Sequence, residues 1–133
     1  MKELFDVHCH MVPGVDDGAA DLEESLAMLK MQHEDGVRKI IITPHYRRRM
    51  FETPAKKVHE QFLKLQEAAK KEYPDMSLYL GCELHSNMDL QDILEKRKYV
   101  TMAGSSYVLL EFSEGDSAQH IRERVYLSLI HIS

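Results

Sequence analysis

The chain has 133 residues, with 17 lysines and arginines against 22 aspartates and glutamates, a net charge of -5, 44% hydrophobic and 29% charged residues. This suits one compact domain with a core; it is too apolar for a disordered chain, and its acidity argues against a nucleic-acid surface. No apolar stretch approaches the roughly 20 residues of a membrane span, Met1 to Asp6 lead into a strand instead of a signal peptide, and Cys9 and Cys82 cannot make a disulfide framework, so a soluble cytoplasmic protein without direct membrane insertion is expected.

Strand-like and helix-like segments alternate, the pattern of an α/β fold with parallel strands. An apolar run near the N-terminus closes on Asp6-Val7-His8-Cys9-His10 as a first strand and opens onto Pro13-Gly14-Val15-Asp16-Asp17-Gly18. Asp21 can cap a helix marked by Leu22, Leu26 and Leu29 and ended by Gly36. Val37 to Thr43 is β-branched and reads as a buried second strand stopped by Pro44. An arginine-rich loop follows, then a long helix with Val58, Phe62, Leu65 and Ala69 on one face, terminated at Tyr73-Pro74-Asp75. Ser77 to Glu83 is the third strand; Leu90, Ile93 and Leu94 mark a shorter helix. Tyr107 to Phe112 is the fourth strand, and Ser117 to about Leu129 is helical, with Ile121 and Val125 on one face.

Every predicted strand ends in a potential metal ligand. In a strand, alternate side chains share a face, so His8 and His10 point the same way about 7 Å apart, with Asp6 beside them and with Val7 and Cys9 opposed. His45 follows the second strand, Glu83 ends the third and Glu111 lies in the fourth. The carboxyl ends of parallel strands gather on one side of an α/β fold, where active sites are built. Mixed imidazole and carboxylate donors suit zinc, manganese or iron better than magnesium or calcium. The competing account is a set of polar strand ends bonded to loops and water; it has to be invoked four times over. Arg47, Arg48 and Arg49 come shortly after His45, where a guanidinium could clasp phosphate oxygens, Arg47 and Arg48 being nearest; otherwise they form a solvated basic turn. A cysteine-nucleophile phosphatase is excluded, because the arginine needed six positions after the cysteine is Val15 after Cys9 and Met88 after Cys82. His33 reads as a boundary residue of the first helix, and His59 and His120 as surface residues.

Taken in order, DVHCHMVPGVDDGA at 6–19, TPHY at 43–46, GCEL at 81–84 and LLEF at 109–112 resemble the PHP (polymerase and histidinol phosphatase) superfamily. The resemblance is closest to the metal-dependent protein tyrosine phosphatases of bacterial capsule and exopolysaccharide systems and runs to about Tyr126. It implies a distorted (β/α)7 PHP barrel, of which about four βα units are present, and a cluster of two or three divalent ions, manganese first and iron or zinc as alternatives. Carried onto this chain, it makes His8, His10, Asp17, His45, Glu83 and Glu111 the metal ligands, with Glu111 bridging and Asp16 the less favoured of its aspartate pair. The implied reaction is hydrolysis of phosphotyrosine, by water activated on the metals, in the tail of a capsule-assembly tyrosine kinase.

Residues 1–126 therefore read as the N-terminal part of a PHP phosphatase domain and 127–133 as a tail that departs from it. The later histidine and Asp-x-His pair of the family are not found, and His131 is not promoted to replace them. Two alternatives stand beside the tyrosine phosphatase: a PHP phosphatase of small molecules such as histidinol phosphate, and a catalytically incomplete fragment that binds metal and oligomerises. Open strand edges in a partial barrel lead to the expectation of self-association.

Overall fold

The structure is a computed structural model describing residues 2–47, 49–86, 90–96 and 101–132, with 130–132 described by backbone alone. Arg48 lies outside the described residues, and so does the His131 side chain.

The element order is β1 (Leu4–Asp6), α1 (Leu22–Glu34), β2 (Val37–Ile42), β3 (His45–Tyr46), α2 (Ala55–Glu72), β4 (Ser77–Leu80), β5 (Glu83–His85), α3 (Leu90–Glu95), a single 3-10 turn at Met102–Gly104, β6 (Leu109–Glu111) and α4 (Ala118–Ile132). All strand pairings are parallel. This is the α/β architecture with parallel strands expected from the alternating pattern. The predicted second strand stops before Pro44 as expected, with a short further strand, β3, after it, whereas the predicted third strand is broken in two. Pro44 has no N–H to extend a ladder, and the backbone steps between β2 and β3 there and between β4 and β5 at Gly81-Cys82. The result is one three-stranded sheet of order β1-β2-β4, followed along the same chain direction by a second of order β3-β5-β6. The first strand ends at Asp6, so His8 and His10 lie beyond it, although Thr43 N still donates to Cys9 O at 2.9 Å.

The main core lies between the first sheet and the two long helices. Val37, Ile40 and Ile42 of β2 and Leu78 of β4 pack with Leu29 of α1 and with Val58, Phe62, Leu65 and Ala69 of α2. Asp21 caps α1, its Oδ1 accepting from Glu24 N at 2.8 Å, and helix-spaced apolar residues give α2 the face read from the sequence. A second, smaller core of Cys82, Leu84, Leu90, Ile93 and Leu94 sits under the second sheet, with Leu127 of α4 packed against it. The Ile121 and Val125 face of α4 is exposed. Among the described residues no helix is long and apolar enough to cross a membrane.

Candidate metal centre

The segment after β1 turns inward instead of running over the surface. Met11, Val12, Val15 and Ala19 are all buried, and the Ser25 hydroxyl of α1 donates to Met11 O at 2.6 Å. Gly14 N donates to Ala19 O at 2.9 Å and Ala19 N to His10 O at 3.1 Å, which closes the loop on itself. Burial of this apolar stretch fixes the two aspartates it carries. On the facing side, the strand breaks start β3 and β5 in register, with His45 opposite Glu83, while His85 lies opposite Glu111 of β6. Alternation along these strands then places His45 and Arg47, Glu83 and His85, and Leu109 and Glu111 in pairs on common faces.

These elements bring all six sequence-predicted ligands together. Three overlapping groups have donor atoms within 4.8 Å of one another: His8, His10 and Glu83; His10, Asp17 and His45; and His45, Glu83 and Glu111. Glu83 Oε2 is the hub, 3.0 Å from His8 Nε2, 3.1 Å from His10 Nε2 and 3.4 Å from His45 Nδ1. His45 Nδ1 is also 3.3 Å from Glu111 Oε2, and its Nε2 is 3.5 Å from Asp17 Oδ1. Donors held 2.0–2.2 Å from one transition-metal ion stand about 3–3.5 Å apart. The observed separations are compatible with a ligand shell as well as with direct hydrogen bonds, and the donor chemistry suits such an ion. Glu83 enters two of the groups and Glu111 one.

Asp16 and Asp17 divide their work. Asp17 faces the cluster with a side chain 63% exposed, whereas the Asp16 carboxylate is fully buried behind it. Asp16 Oδ2 accepts from His45 N at 2.9 Å and lies 3.1 Å from His10 Nδ1, and its Oδ1 accepts from Gly18 N at 2.9 Å. Burial pushes the Asp16 carboxyl up, but the hydrogen bonds from His10, His45 and Gly18 outweigh it and hold the group below its usual range. The hydrogen bond to Asp16 in turn raises His10. A carboxylate on Nδ1 aims the other ring nitrogen of His10 at Glu83, the arrangement that orients histidine ligands in metal sites. The rings of His10 and His45 stack at 4.4 Å and 15°.

Several sequence expectations change here. Asp6 is not on the His8 and His10 face: its Oδ2 accepts from Gln32 Nε2 of α1 at 2.7 Å, because regular alternation stops where β1 ends. Val7 is exposed, while Cys9 packs against the main core with its thiol pushed up to about 12 by burial and then by Asp6 and Asp16. His33 is a boundary residue paired with Asp75, 3.0 Å away. His120 is more than a surface residue, since its Nε2 lies 3.0 Å from Ser86 O and ties α4 to the end of β5.

Two site-facing residues are absent from the sequence-based candidates. His85 is 7% exposed, lies 3.2 Å from the Ser113 hydroxyl through Nε2, and has an Nδ1 with no partner among the described residues. Burial, followed by the nearby Arg47 charge, lowers its pKa. The Glu-Leu-His alternation of 83–85 is the available signal, the same spacing that singles out His8 and His10. Phe51 is the other: its ring stacks on His45 at 5.2 Å and 20°, and no periodicity in the arginine-rich loop marks it.

Parallel strands whose carboxyl ends gather imidazoles and carboxylates define an α/β protein with a candidate metal centre of the kind hydrolytic enzymes use. Residues 4–131 match the capsular polysaccharide synthesis CpsB/CapC family, and the chain belongs to that family. It is 41% identical over 118 residues to the tyrosine-protein phosphatase CpsB of Streptococcus pneumoniae, covering 89% of this chain and 49% of that protein. It is 30% identical over 109 residues to the tyrosine-protein phosphatase YwqE of Bacillus subtilis, covering 82% and 43%. Among solved structures it resembles a chain from the crystal structures of YwqE from Bacillus subtilis and CpsB from Streptococcus pneumoniae, described as unique metal-dependent tyrosine phosphatases. The TM-score is 0.83 at 27% identity, over 96% of this chain and 51% of that one. The chain spans about half the length of the curated relatives it matches.

Proposed function

We propose that this chain carries the metal-binding half of a metal-dependent phosphotyrosine hydrolase, acting on the tyrosine-rich tail of a capsule-assembly kinase. The observation that carries the reading is the convergence of three overlapping imidazole–carboxylate groups, two of which share Glu83. His8, His10, Asp17, His45, Glu83 and Glu111 would hold two or three divalent ions, with manganese expected first and iron or zinc next. Bound ions would neutralise a phosphate dianion and make a nearby water more acidic. Asp16 holds His10 and the His45 backbone in place, and Arg47, with Arg48, would meet the phosphate oxygens. The strand order supports reading β1, β2–β3, β4–β5 and β6 as an arc of a distorted (β/α)7 PHP barrel, covering 1–126. Two free cysteines fit a reducing compartment, and we place the protein in the cytoplasm.

One feature of the donor set favours a second reading, metal binding without turnover. His10 and His45 each enter two groups, but a neutral imidazole has a single lone pair, so these six residues cannot complete three separate sites. The chain itself separates the two readings. Dialysed against manganese or zinc, it should retain metal, and Glu83→Gln should lower the affinity roughly 100-fold or more, since the hub carboxylate loses its charge. Chelator-sensitive hydrolysis of a phosphotyrosine peptide by the loaded chain supports the enzyme reading; retained metal without hydrolysis supports the second. A chain that holds no metal at micromolar concentration contradicts both.

A further inference from the structure

The turn that follows β3 begins and ends with side chains of complementary chemistry. Arg47 and Phe51 form an antiparallel bridge, Arg47 N donating to Phe51 O at 2.9 Å and Phe51 N to Arg47 O at 2.7 Å. Residues so paired project side by side on one face, about 5.5 Å apart at Cα. The face is that of the metal centre: Arg47 is two residues beyond His45 on the same strand side, and the Phe51 ring lies nearly parallel to the His45 ring, 5.2 Å away. Both ends of the turn are anchored. Arg49 takes the left-handed conformation (φ 71°) that lets the chain reverse, and the Thr53 hydroxyl donates to Val15 O at 2.9 Å, joining the turn to the aspartate-bearing loop. Phe51 is only partly buried, so a rigid arene stands at the rim of the centre with surface to spare.

We propose that Phe51 is a specificity-determining residue, the aromatic wall that receives the aryl ring of an aryl phosphate whose phosphoryl group is held by the metal centre and Arg47. The inference rests on the phosphohydrolase reading above and extends it from phosphate to the group that phosphate is attached to. His45 stacks on one side of the Phe51 ring, so an aryl group would meet the ring's remaining, partly exposed surface. Aromatic pairs gain by offset or edge contact, and an alkyl ester has no ring to offer. The Arg47–Phe51 bridge fixes the spacing of the two residues' backbones, which lowers the ordering required on binding.

The test uses the full chain loaded with manganese and titrated with inorganic phosphate, phenyl phosphate and ethyl phosphate by calorimetry. The expected result is phenyl phosphate bound roughly three- to tenfold more tightly than ethyl phosphate. Phe51→Ala and Phe51→Leu should each bring that ratio close to one, and Phe51→Tyr should restore it. Equal affinities for the two esters in the unaltered chain overturn the inference while leaving the phosphate site standing. So does a Phe51→Ala chain that keeps the ratio or loses both affinities in parallel, the latter marking Phe51 as a support for His45 alone. Absence of inorganic phosphate binding by the metal-loaded chain overturns the phosphohydrolase reading, and the inference with it.

Discussion

Asp16 satisfies Gly18 N, His45 N and His10 Nδ1 from a fully buried position, so one side chain ties the loop after β1 to the start of β3 and to a candidate ligand. Asp16→Ala leaves those partly buried groups without their acceptor. The expected loss of unfolding free energy is about 2–4 kcal/mol in the metal-free chain, with metal affinity reduced 10- to 100-fold because His10 is no longer aimed. Asp17→Ala should act oppositely: its exposed side chain contributes about 0.5 kcal/mol or less to stability, but its loss removes a donor from the cluster. Urea unfolding and manganese titration of both variants check this, and equal destabilisation would contradict the division of roles. The family resemblance assigns Asp17 to the cluster, where its Oδ1 stands 3.5 Å from His45 Nε2, yet the sequence does not reveal Asp16 as a buried acceptor. Adjacent aspartates look alike until the apolar neighbours Val15 and Ala19 are known to be inside. His85 is hidden for a related reason, since an imidazole whose neighbours come from two other strands is defined by sheet register, which no local pattern carries.

At the level of elements, the alternating order, the apolar face of α2 and the β-branched β2 are legible because each is a local pattern. The stop at Pro44 is legible too, but the resumption of a strand at His45 and the break at Gly81-Cys82 are not, and they decide where the site forms, because each starts a new strand whose first residue, His45 or Glu83, enters the cluster. The loop at 11–20 makes the same point through Gly18. A Cβ there would run into the carbonyl oxygen and Cβ of His10, so the close approach depends on glycine. Gly18→Ala must push the two segments apart and should reduce metal affinity at least tenfold, as judged by manganese titration. Gly36 is the control: it has a left-handed φ of 92° with open space where a Cβ would stand, so Gly36→Ala should cost about 1 kcal/mol of stability and leave metal affinity unchanged. Similar affinity losses in the two variants would show that general loosening, not displacement of His10, is responsible.

At the scale of the whole molecule, four strands are paired on one side only among the described residues, β1 and β4 in the first sheet and β3 and β6 in the second. Of these, β1 with the residue after it carries Leu4, Phe5 and Val7 with 52%, 62% and 55% of their surfaces exposed. Tyr126 and Leu129 of α4 add exposed apolar area elsewhere. A strand edge with unpaired backbone groups invites pairing with another chain, and exposed apolar residues supply the driving force; the charged residue of β1, Asp6, is engaged by Gln32 of α1 at 2.7 Å. Lys39 partly counters this, its ammonium lying 5.3 Å from the Phe5 ring, but it belongs to β2 and leaves the β1 backbone unguarded. The chain at concentrations on the order of tens of micromolar should therefore scatter light as a species larger than its 15.5 kDa monomer. Val7→Lys puts a charge at the end of the open strand without touching the buried core, and should shift the distribution toward monomer while the helical circular dichroism is kept. A wild-type chain that runs as a stable monomer under these conditions would show that β1 is protected, and association unchanged by Val7→Lys would move the contact to the exposed face of α4.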